Sequence, residues 1–146
     1  MATIRSILAE KGDAVQTVGP GASVLDAAVI MNEHMIGSLL VIDQKRLVGI
    51  ITERDVLRRV VADRKDPAAT HVSNIMTTKL TCGRLDMPVG EAREIMRSRR
   101  IRHLPILEDD GVVLGMISIG DLNAHQLDGQ QQTIQYMHEY LYGGAS

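Results

Sequence analysis

The sequence contains no phenylalanine or tryptophan, and its three tyrosines all lie within the last eleven residues. Residues 1–135 therefore hold no aromatic side chain other than histidine. This absence removes the stacking platforms on which proteins that read single-stranded nucleic acid depend. A flat ligand ring bound by this chain must be held by aliphatic side chains and by the backbone.

A single cysteine, Cys82, cannot form a disulfide within the chain and cannot supply a zinc site built from several cysteines. The longest strongly apolar run, residues 39–42, is far shorter than the ~20 residues that a membrane-spanning helix requires. Residues 1–12 show no signal-peptide core. The 16 basic and 18 acidic residues leave a net charge of −2, which argues against binding to the phosphates of nucleic acids. These properties predict a cytoplasmic globular protein.

The chain repeats itself at an interval of about 65 residues. Four positions show the repeat most clearly: Val24, Ile36, Gly49 and Asp55 in the first copy, and Val89, Ile101, Gly115 and Asp121 in the second. The interval grows by one residue in the second copy, and this insertion lies in the acidic turn at 108–111. Such a repeat indicates one supersecondary unit that occurs twice.

Each copy has the pattern of a β-α-β-β-α unit. Apolar residues at helical spacing predict helices over 24–35 and 89–99. Two short apolar runs around a polar turn then predict a hairpin in each copy, with strands 38–42 and 47–51 in the first and 103–107 and 112–117 in the second. A short strand is expected at the start of each unit, at 17–18 and 81–82, and a further helix is expected after Thr52 and after Ser118.

The pattern predicts an α+β fold in which two repeats pack sheet against sheet. We expect the first repeat to span residues 4–66, the second 67–128, and a helical tail 129–146. In that tail, a helix over about 130–141 places Ile134, Met137 and Leu141 on one stripe, with tyrosines beside it. The stripe must cover the core, a second copy of the chain or another protein.

Two segments in register, Gly49–Asp55 and Gly115–Asp121, resemble those of a tandem cystathionine-β-synthase-type (CBS) domain pair, also called a Bateman module. Ile101–Ile106 and Ile75–Thr77 support the resemblance, which covers residues 4–128 and leaves no room for a catalytic domain. It implies a stand-alone regulatory module that has no catalytic cofactor and forms a homodimer. It also implies two clefts between the repeats, related by a pseudo-twofold axis, that bind an adenosyl ligand. AMP is the first candidate, followed by ADP, ATP, NAD and S-adenosylmethionine.

Thr52 and Asp55 have two compatible interpretations. In the first, they cap a helix, since a hydroxyl at the N-cap and a carboxylate at N3 bond to backbone N–H groups. In the second, they bind a ligand, with the N-terminal N–H groups and the Thr52 hydroxyl on a phosphate and Asp55 on the two hydroxyls of a ribose. Because aspartate is short for reaching back to the N-cap, we expect the ligand role to be favoured. Ser118 and Asp121 repeat the arrangement.

The cations distinguish the two sites, because a nucleotide phosphate needs fixed positive charge. Arg54 in the first copy corresponds to Gly120 in the second. Conversely, Arg102 and His103 in the second copy correspond to Gly37 and Ser38 in the first. The sequence therefore predicts that the better equipped site consists of Ser118, Asp121, Arg102 and His103. The resemblance implies that the two clefts face each other, so that Arg54 reaches across to the phosphate held near Ser118. A solvated basic cluster for Arg102 and a structural role for His103 are the alternatives.

Further contacts to adenine follow from the resemblance. It implies that adenine binds against the extended segments that contain Thr17, Thr81 and Cys82. Ile36 and Ile101 would form the apolar walls of this slot, with Gly37 beside them. The alternative for most of these aliphatic residues is ordinary packing in the core, and Cys82 also fits a small buried strand residue.

Two other functions compete with a nucleotide sensor. An enzyme is disfavoured, because the five histidines show no metal-ligand spacing and the chain has no nucleophile or Walker motif. A nucleotide-independent adaptor, which only joins protein partners, remains an alternative because the C-terminal stripe has no place in the repeat. The regulated partner cannot be identified from the sequence.

Overall fold

The computed structural model describes residues 2–12, 14–138 and 141, with the backbone alone for 128–133, 135 and 136. The elements follow the chain in this order: α1 Ile4–Lys11, β1 Thr17–Val18, α2 Val24–His34, β2 Ser38–Asp43, β3 Arg46–Thr52, α3 Glu53–Val56, a π-helical turn Leu57–Val61, α4 Val72–Ile75, α5 Val89–Arg99, β4 His103–Leu107, β5 Val113–Ser118 and α6 Ile119–His138. The predicted α+β fold with two small sheets is confirmed. No helix among these residues is both long and apolar enough to cross a bilayer.

The first repeat forms a three-stranded sheet in the order β1-β2-β3. β1 pairs with β2 in parallel, and β2 pairs with β3 as an antiparallel hairpin. The hairpin turns at Gln44 and Lys45, whose φ angles of 50° and 70° match a two-residue turn of the type that follows the twist of the strands. Helix α2 begins after Ser23, whose hydroxyl accepts from the Asp26 N–H at 3.0 Å.

The second repeat has the same helix and hairpin, but its predicted first strand at 81–82 is wrong. The chain makes a single parallel bridge there, between Gly83 and Ile106. Pro105 explains the difference, because it occupies the position that Leu40 has in the first sheet and has no N–H to extend the ladder. Its carbonyl oxygen still accepts from the Gly83 N–H at 2.8 Å. The second sheet therefore contains only β4 and β5.

The predicted C-terminal helix is helical from residue 130 to His138, but it is not a separate element, because α6 runs without a break from the second repeat. Ile134, Met137 and Leu141 are all more than half exposed, so these side chains do not cover the core. Tyr140 and Tyr142, and the Tyr136 side chain, lie outside the described residues.

One helix that precedes each repeat packs in the core of the other repeat. Val72 and Ile75 of α4 are buried in the core of the first repeat. Ile4, Ile7 and Leu8 of α1 are buried in the core of the second. The division at residue 66 thus describes the repeat in the sequence. In the folded chain, the segment that precedes each repeat packs in the core of the other one.

Two glycines lie at the contacts of this exchange. A Cβ atom on Gly49 would lie 2.5 Å from the Met76 sulfur, and a Cβ on Gly115 would lie 2.9 Å from a Leu8 methyl group. Both distances are shorter than a van der Waals contact, so the repeated glycine serves close packing of the segment that precedes each unit.

Candidate functional site

A cleft of about 690 Å³ lies where the end of β3 faces the start of β4. We call it the central cleft. Eight of its lining residues are candidates that the sequence predicts: Gly37, Thr52, Arg54, Asp55, Thr81, Ile101, Arg102 and His103. The other eight are not predicted: Ser38, Ile50, Glu53, Thr77, Lys79, Leu80, Arg100 and Pro105. The cleft thus combines the first repeat's helix turn with the second repeat's strand.

The turn from Thr52 to Asp55 is a complete capping box. The Asp55 N–H donates to the Thr52 hydroxyl oxygen at 3.1 Å, and the Thr52 N–H donates to Asp55 Oδ2 at 3.0 Å. The expectation that aspartate is too short to reach back is therefore wrong.

The box also changes how a phosphate is held. The Glu53 N–H donates to the Gly37 carbonyl oxygen at 3.0 Å, so the N–H groups of Thr52, Glu53 and Asp55 all have partners within the protein. Three of the N–H groups expected to bind an anion at this helix N-terminus are therefore already paired. Because the Thr52 oxygen only accepts in the box, its O–H proton remains a possible donor to a ligand.

Asp55 is the one carboxylate buried at the cleft wall. Besides the Thr52 N–H, it accepts the Thr77 hydroxyl, with Oγ1 at 3.0 Å from Oδ1 and 3.3 Å from Oδ2. Arg59 Nε lies 4.0 Å from Oδ1. A carboxylate offers about four acceptor positions, so these bonds leave Asp55 capacity for a further hydroxyl pair.

The equivalent turn of the second repeat is built in the same way but has a different partner. Ser118 and Asp121 form both bonds of the box, at 2.8 and 3.0 Å. Lys11 Nζ from α1 lies 2.6 Å from Asp121 Oδ2 and donates to the Met116 carbonyl oxygen at 2.7 Å. A lysine ammonium therefore stands at Asp121 where a threonine hydroxyl stands at Asp55.

The structure groups the predicted residues differently from the sequence. Arg102 and His103 line the central cleft together with Thr52 and Asp55, whereas Ser118 and Asp121 are not among its lining residues. His103 still pairs with Ser118 across the hairpin. The repeat shows which residues are equivalent, but which turn faces which strand depends on how the two units pack.

The central cleft carries an excess of positive charge. Arg54, Lys79, Arg100 and Arg102 line it, against the carboxylates of Glu53 and Asp55. Among the described residues, none of these four cations forms an ion pair. Unpaired cations on a concave surface attract anions, so the cleft suits a ligand that carries negative charge.

The remaining predicted residues lie elsewhere. Thr17 is in β1 and pairs with Leu40. Ile36 lines a separate apolar recess of about 490 Å³ beside Met31 and Val56. Cys82 is partly buried, and this burial raises the pKa of its thiol, which disfavours the reactive thiolate.

Thr77 and Lys79 are the important residues that sequence reasoning missed. Both lie in the loop between α4 and α5, and no periodicity marks that loop. Thr77 reaches the first repeat because its N–H and C=O bond to Ile50, at 2.8 and 2.9 Å. Within the described part of the chain, no three His, Cys, Asp or Glu side chains come close enough to hold a metal ion.

His103 and Asp121 both have lowered pKa values. Burial lowers the pKa of His103 most, the Lys11 and Arg102 charges add to this, and the Asp121 charge opposes it. For Asp121, burial raises the pKa, but the hydrogen bond from Lys11, those from Ser118 and the Lys11 charge outweigh it and lower the pKa overall.

These pKa shifts predict that acid weakens the fold in two steps. Because unfolded histidine titrates near ~6.5 and folded His103 below that value, the unfolded chain binds more protons as the pH falls. The free energy of unfolding should therefore decrease as the pH falls from ~6.5 through the folded-state pKa of His103. The Asp121 contribution, present above ~3.9, is lost only as the pH falls through its own lowered pKa.

Urea unfolding at pH 7.5 and pH 5.5 measures the first step. The variant His103→Gln should lose less stability between these two pH values than the parent chain does. His34→Gln, at the exposed end of α2, serves as the control and should behave like the parent. An equal loss in His103→Gln and the parent would contradict this assignment.

Comparison with known proteins identifies what this architecture is similar to. A family profile described as "CBS domain" matches the chain twice, over residues 11–62 and 72–128. The CBS domain-containing protein CBSX3 of Arabidopsis thaliana, described as mitochondrial, is 36% identical over 127 residues, which span 84% of this chain and 61% of that protein. This chain therefore covers less than two thirds of that relative.

Solved structures show the same similarity. The CBS domain structure designated NE2398 is 38% identical, with a TM-score of 0.81, and the match covers 86% of this chain and 98% of that one. The CBS domain pair of protein MJ0100, in complex with 5′-methylthioadenosine and S-adenosyl-L-methionine, is 26% identical, with a TM-score of 0.75, over 90% of this chain and 98% of that one.

Proposed function

Because the chain belongs to the CBS domain family and contains two copies in tandem, we propose that it is a regulatory module that binds a phosphorylated adenosine in the central cleft. One observation carries the proposal: a buried carboxylate with acceptor capacity, Asp55, lines the same cleft as four cations that have no ion-pair partner among the residues that the structure describes. The carboxylate matches the hydroxyls of a ribose, and the cations match a phosphate.

Each side chain has a distinct role in this proposal. Asp55 accepts hydrogen bonds from the ribose hydroxyls, and the Thr52 hydroxyl donates to the phosphate. Arg102 and Arg54 supply forked donors of the kind that bind phosphate oxygens. Ile101 and the backbone near Thr81 hold the adenine, since no aromatic side chain is available in this part of the chain.

The charge of the cleft favours some adenosyl ligands over others. A phosphate monoester carries a charge of about −2 at neutral pH, whereas S-adenosylmethionine carries a sulfonium cation. The complex of the MJ0100 pair supports adenosyl recognition in a relative, but the four cations here favour AMP, and after it ADP, ATP and NAD. S-adenosylmethionine is the least suited of the candidates.

Isothermal titration calorimetry with adenosine, AMP, ATP and S-adenosylmethionine tests the proposal. We expect AMP to bind at least tenfold more tightly than adenosine, because hydrogen bonds to charged groups contribute about 1.5–3 kcal/mol each. S-adenosylmethionine should bind no more tightly than adenosine. If none of the four binds or raises the melting temperature at millimolar concentration, the nucleotide proposal is wrong.

The alternative function is a nucleotide-independent adaptor, and exposed apolar side chains favour it. Leu25 and Val29 on α2 and Leu57 and Val61 on the π-helical turn are 45–62% exposed. Helical spacing of four residues places each pair on one face. We propose that these faces pair with a second copy of the chain in the cytoplasm and that, in the adaptor function, the resulting homodimer joins protein partners without a nucleotide signal. The adaptor function requires dimerisation without any of the four ligands bound.

A further inference from the structure

Helix α1 carries a lysine to the second capping box. Ile4, Leu8 and Lys11 are spaced by four and three residues, so they lie on one face of α1. Ile4 and Leu8 are buried in the core of the second repeat, where Leu8 packs against Gly115. The same face therefore holds Lys11 against the second repeat, with Nζ 2.6 Å from Asp121 Oδ2.

The two repeats differ in what donates to the repeated aspartate. In the first, the Thr77 hydroxyl bonds to Asp55. In the second, the Lys11 ammonium bonds to Asp121 and also to the Met116 carbonyl oxygen at 2.7 Å. Thr77 precedes the second repeat but bonds to the aspartate of the first. Lys11 precedes the first repeat but bonds to the aspartate of the second. The two donors therefore hold comparable places in the doubled fold.

The chemistry of the two donors is different. A threonine hydroxyl is neutral and rotates, so it can yield to a ribose hydroxyl while still accepting a hydrogen bond from it. A lysine ammonium has three donors and no acceptor, and its bond to a carboxylate is charge-assisted. Lys11 and the Ser118 N–H both donate to Asp121 Oδ2, so a ribose that approached both carboxylate oxygens would have to compete with this cation for Oδ2.

We infer that Lys11 closes the second site and makes the two equivalent sites of the chain unequal. The central cleft then binds one nucleotide per chain, and the Asp121 turn accepts a second one only when the Lys11 charge is absent. This inference rests on the proposed function, because it assumes that the repeated aspartate binds ribose. Lys11 is accordingly a residue that sets stoichiometry; α1 carries it, and the Met116 carbonyl oxygen of β5 accepts one of its hydrogen bonds.

Calorimetric titration of AMP into the full chain and its Lys11→Met variant tests the inference. Methionine keeps most of the apolar stem and removes the charge. We expect one AMP per chain for the parent and two for Lys11→Met, with affinity at the second site raised at least tenfold. The Lys11→Arg variant should still bind one AMP per chain. So should Lys45→Met, which removes an exposed lysine in the β2–β3 turn. Circular dichroism confirms that each variant is folded.

The double variant Lys11→Met/Asp121→Asn locates the new site, and we expect it to return to one AMP per chain. A Lys11→Met chain that still binds one AMP, or a parent that already binds two, would overturn the inference. If the parent binds none and Lys11→Met binds one that the double variant loses, Lys11 closes the second site as inferred, but the proposal for the central cleft fails. If neither chain binds AMP, both fail.

Discussion

Replacing Asp55 with asparagine is expected to weaken AMP binding at least tenfold and to abolish the preference for AMP over 2′-deoxy-AMP. The asparagine oxygen can still accept from the Thr52 N–H, which keeps the capping bond seen at 3.0 Å. Its amide group, however, replaces an acceptor with a donor at the position proposed for the ribose hydroxyls. Losing a hydrogen bond to a charged group costs about 1.5–3 kcal/mol, which is a tenfold or larger change in the dissociation constant.

The chain supplies a matched control for this variant. Asp121→Asn makes the same substitution at the equivalent position of the second repeat, and we expect it to leave AMP affinity at the central cleft unchanged. The measurement is calorimetry of AMP and 2′-deoxy-AMP against the parent and both variants. Equal affinity of the parent for the two nucleotides, or equal losses in the two variants, would show that Asp55 does not bind the ribose.

Replacing Arg102 with alanine is expected to weaken AMP binding tenfold or more while adenosine binding stays the same. Arg102 is exposed, lines the central cleft and has no ion-pair partner among the described residues. Removing it deletes a donor for the phosphate without leaving a carboxylate unpaired, so the stability of the fold should change little. The affinity for AMP should also become less sensitive to salt, because fewer charges take part.

Arg99 provides the comparison for this prediction. It lies at the end of α5, three residues before Arg102, and is not among the residues that line the central cleft. Arg99→Ala removes the same charge from the same basic cluster and should leave both ligands unaffected. If Arg102→Ala weakens adenosine binding as much as AMP binding, Arg102 does not act on the phosphate. If Arg99→Ala weakens AMP binding as much as Arg102→Ala does, only the general charge of the cluster matters.

The elements of each repeat were predictable because their causes are local. Helical spacing located α2 and α5, and apolar runs around a polar turn located both hairpins. The N-caps at Thr52 and Ser118 are likewise set by residues within one turn of the chain. The missing strand at 81–82 also had a sign in the sequence, since Pro105 stands in the position that must donate an N–H to such a strand.

The central cleft was only half predictable. Equivalence between the repeats identified Thr52, Asp55, Arg102 and His103 as candidates, because each occupies a repeated position. The family resemblance implied clefts between the repeats, but nothing indicated that Thr52 and Asp55, and not Ser118 and Asp121, would share a cleft with Arg102 and His103. Thr77 was not predicted to be a site residue for the same reason, since its contact with Asp55 joins residues 22 positions apart in segments of different repeats.

By itself, the sequence determined the doubled unit, the helices and hairpins within it and the repeated aspartate at each helix start, because periodicity and capping act over a few neighbouring residues. Only the tertiary structure decided which of the two aspartates opens onto a charged cleft and which one meets Lys11. That choice depends on two buried helix faces, those of α1 and α4, each of which packs into the core of the other repeat. The hydrophobic effect depends on the apolar area that is buried and not on separation along the chain. Residues distant in sequence can therefore determine the chemistry of each site.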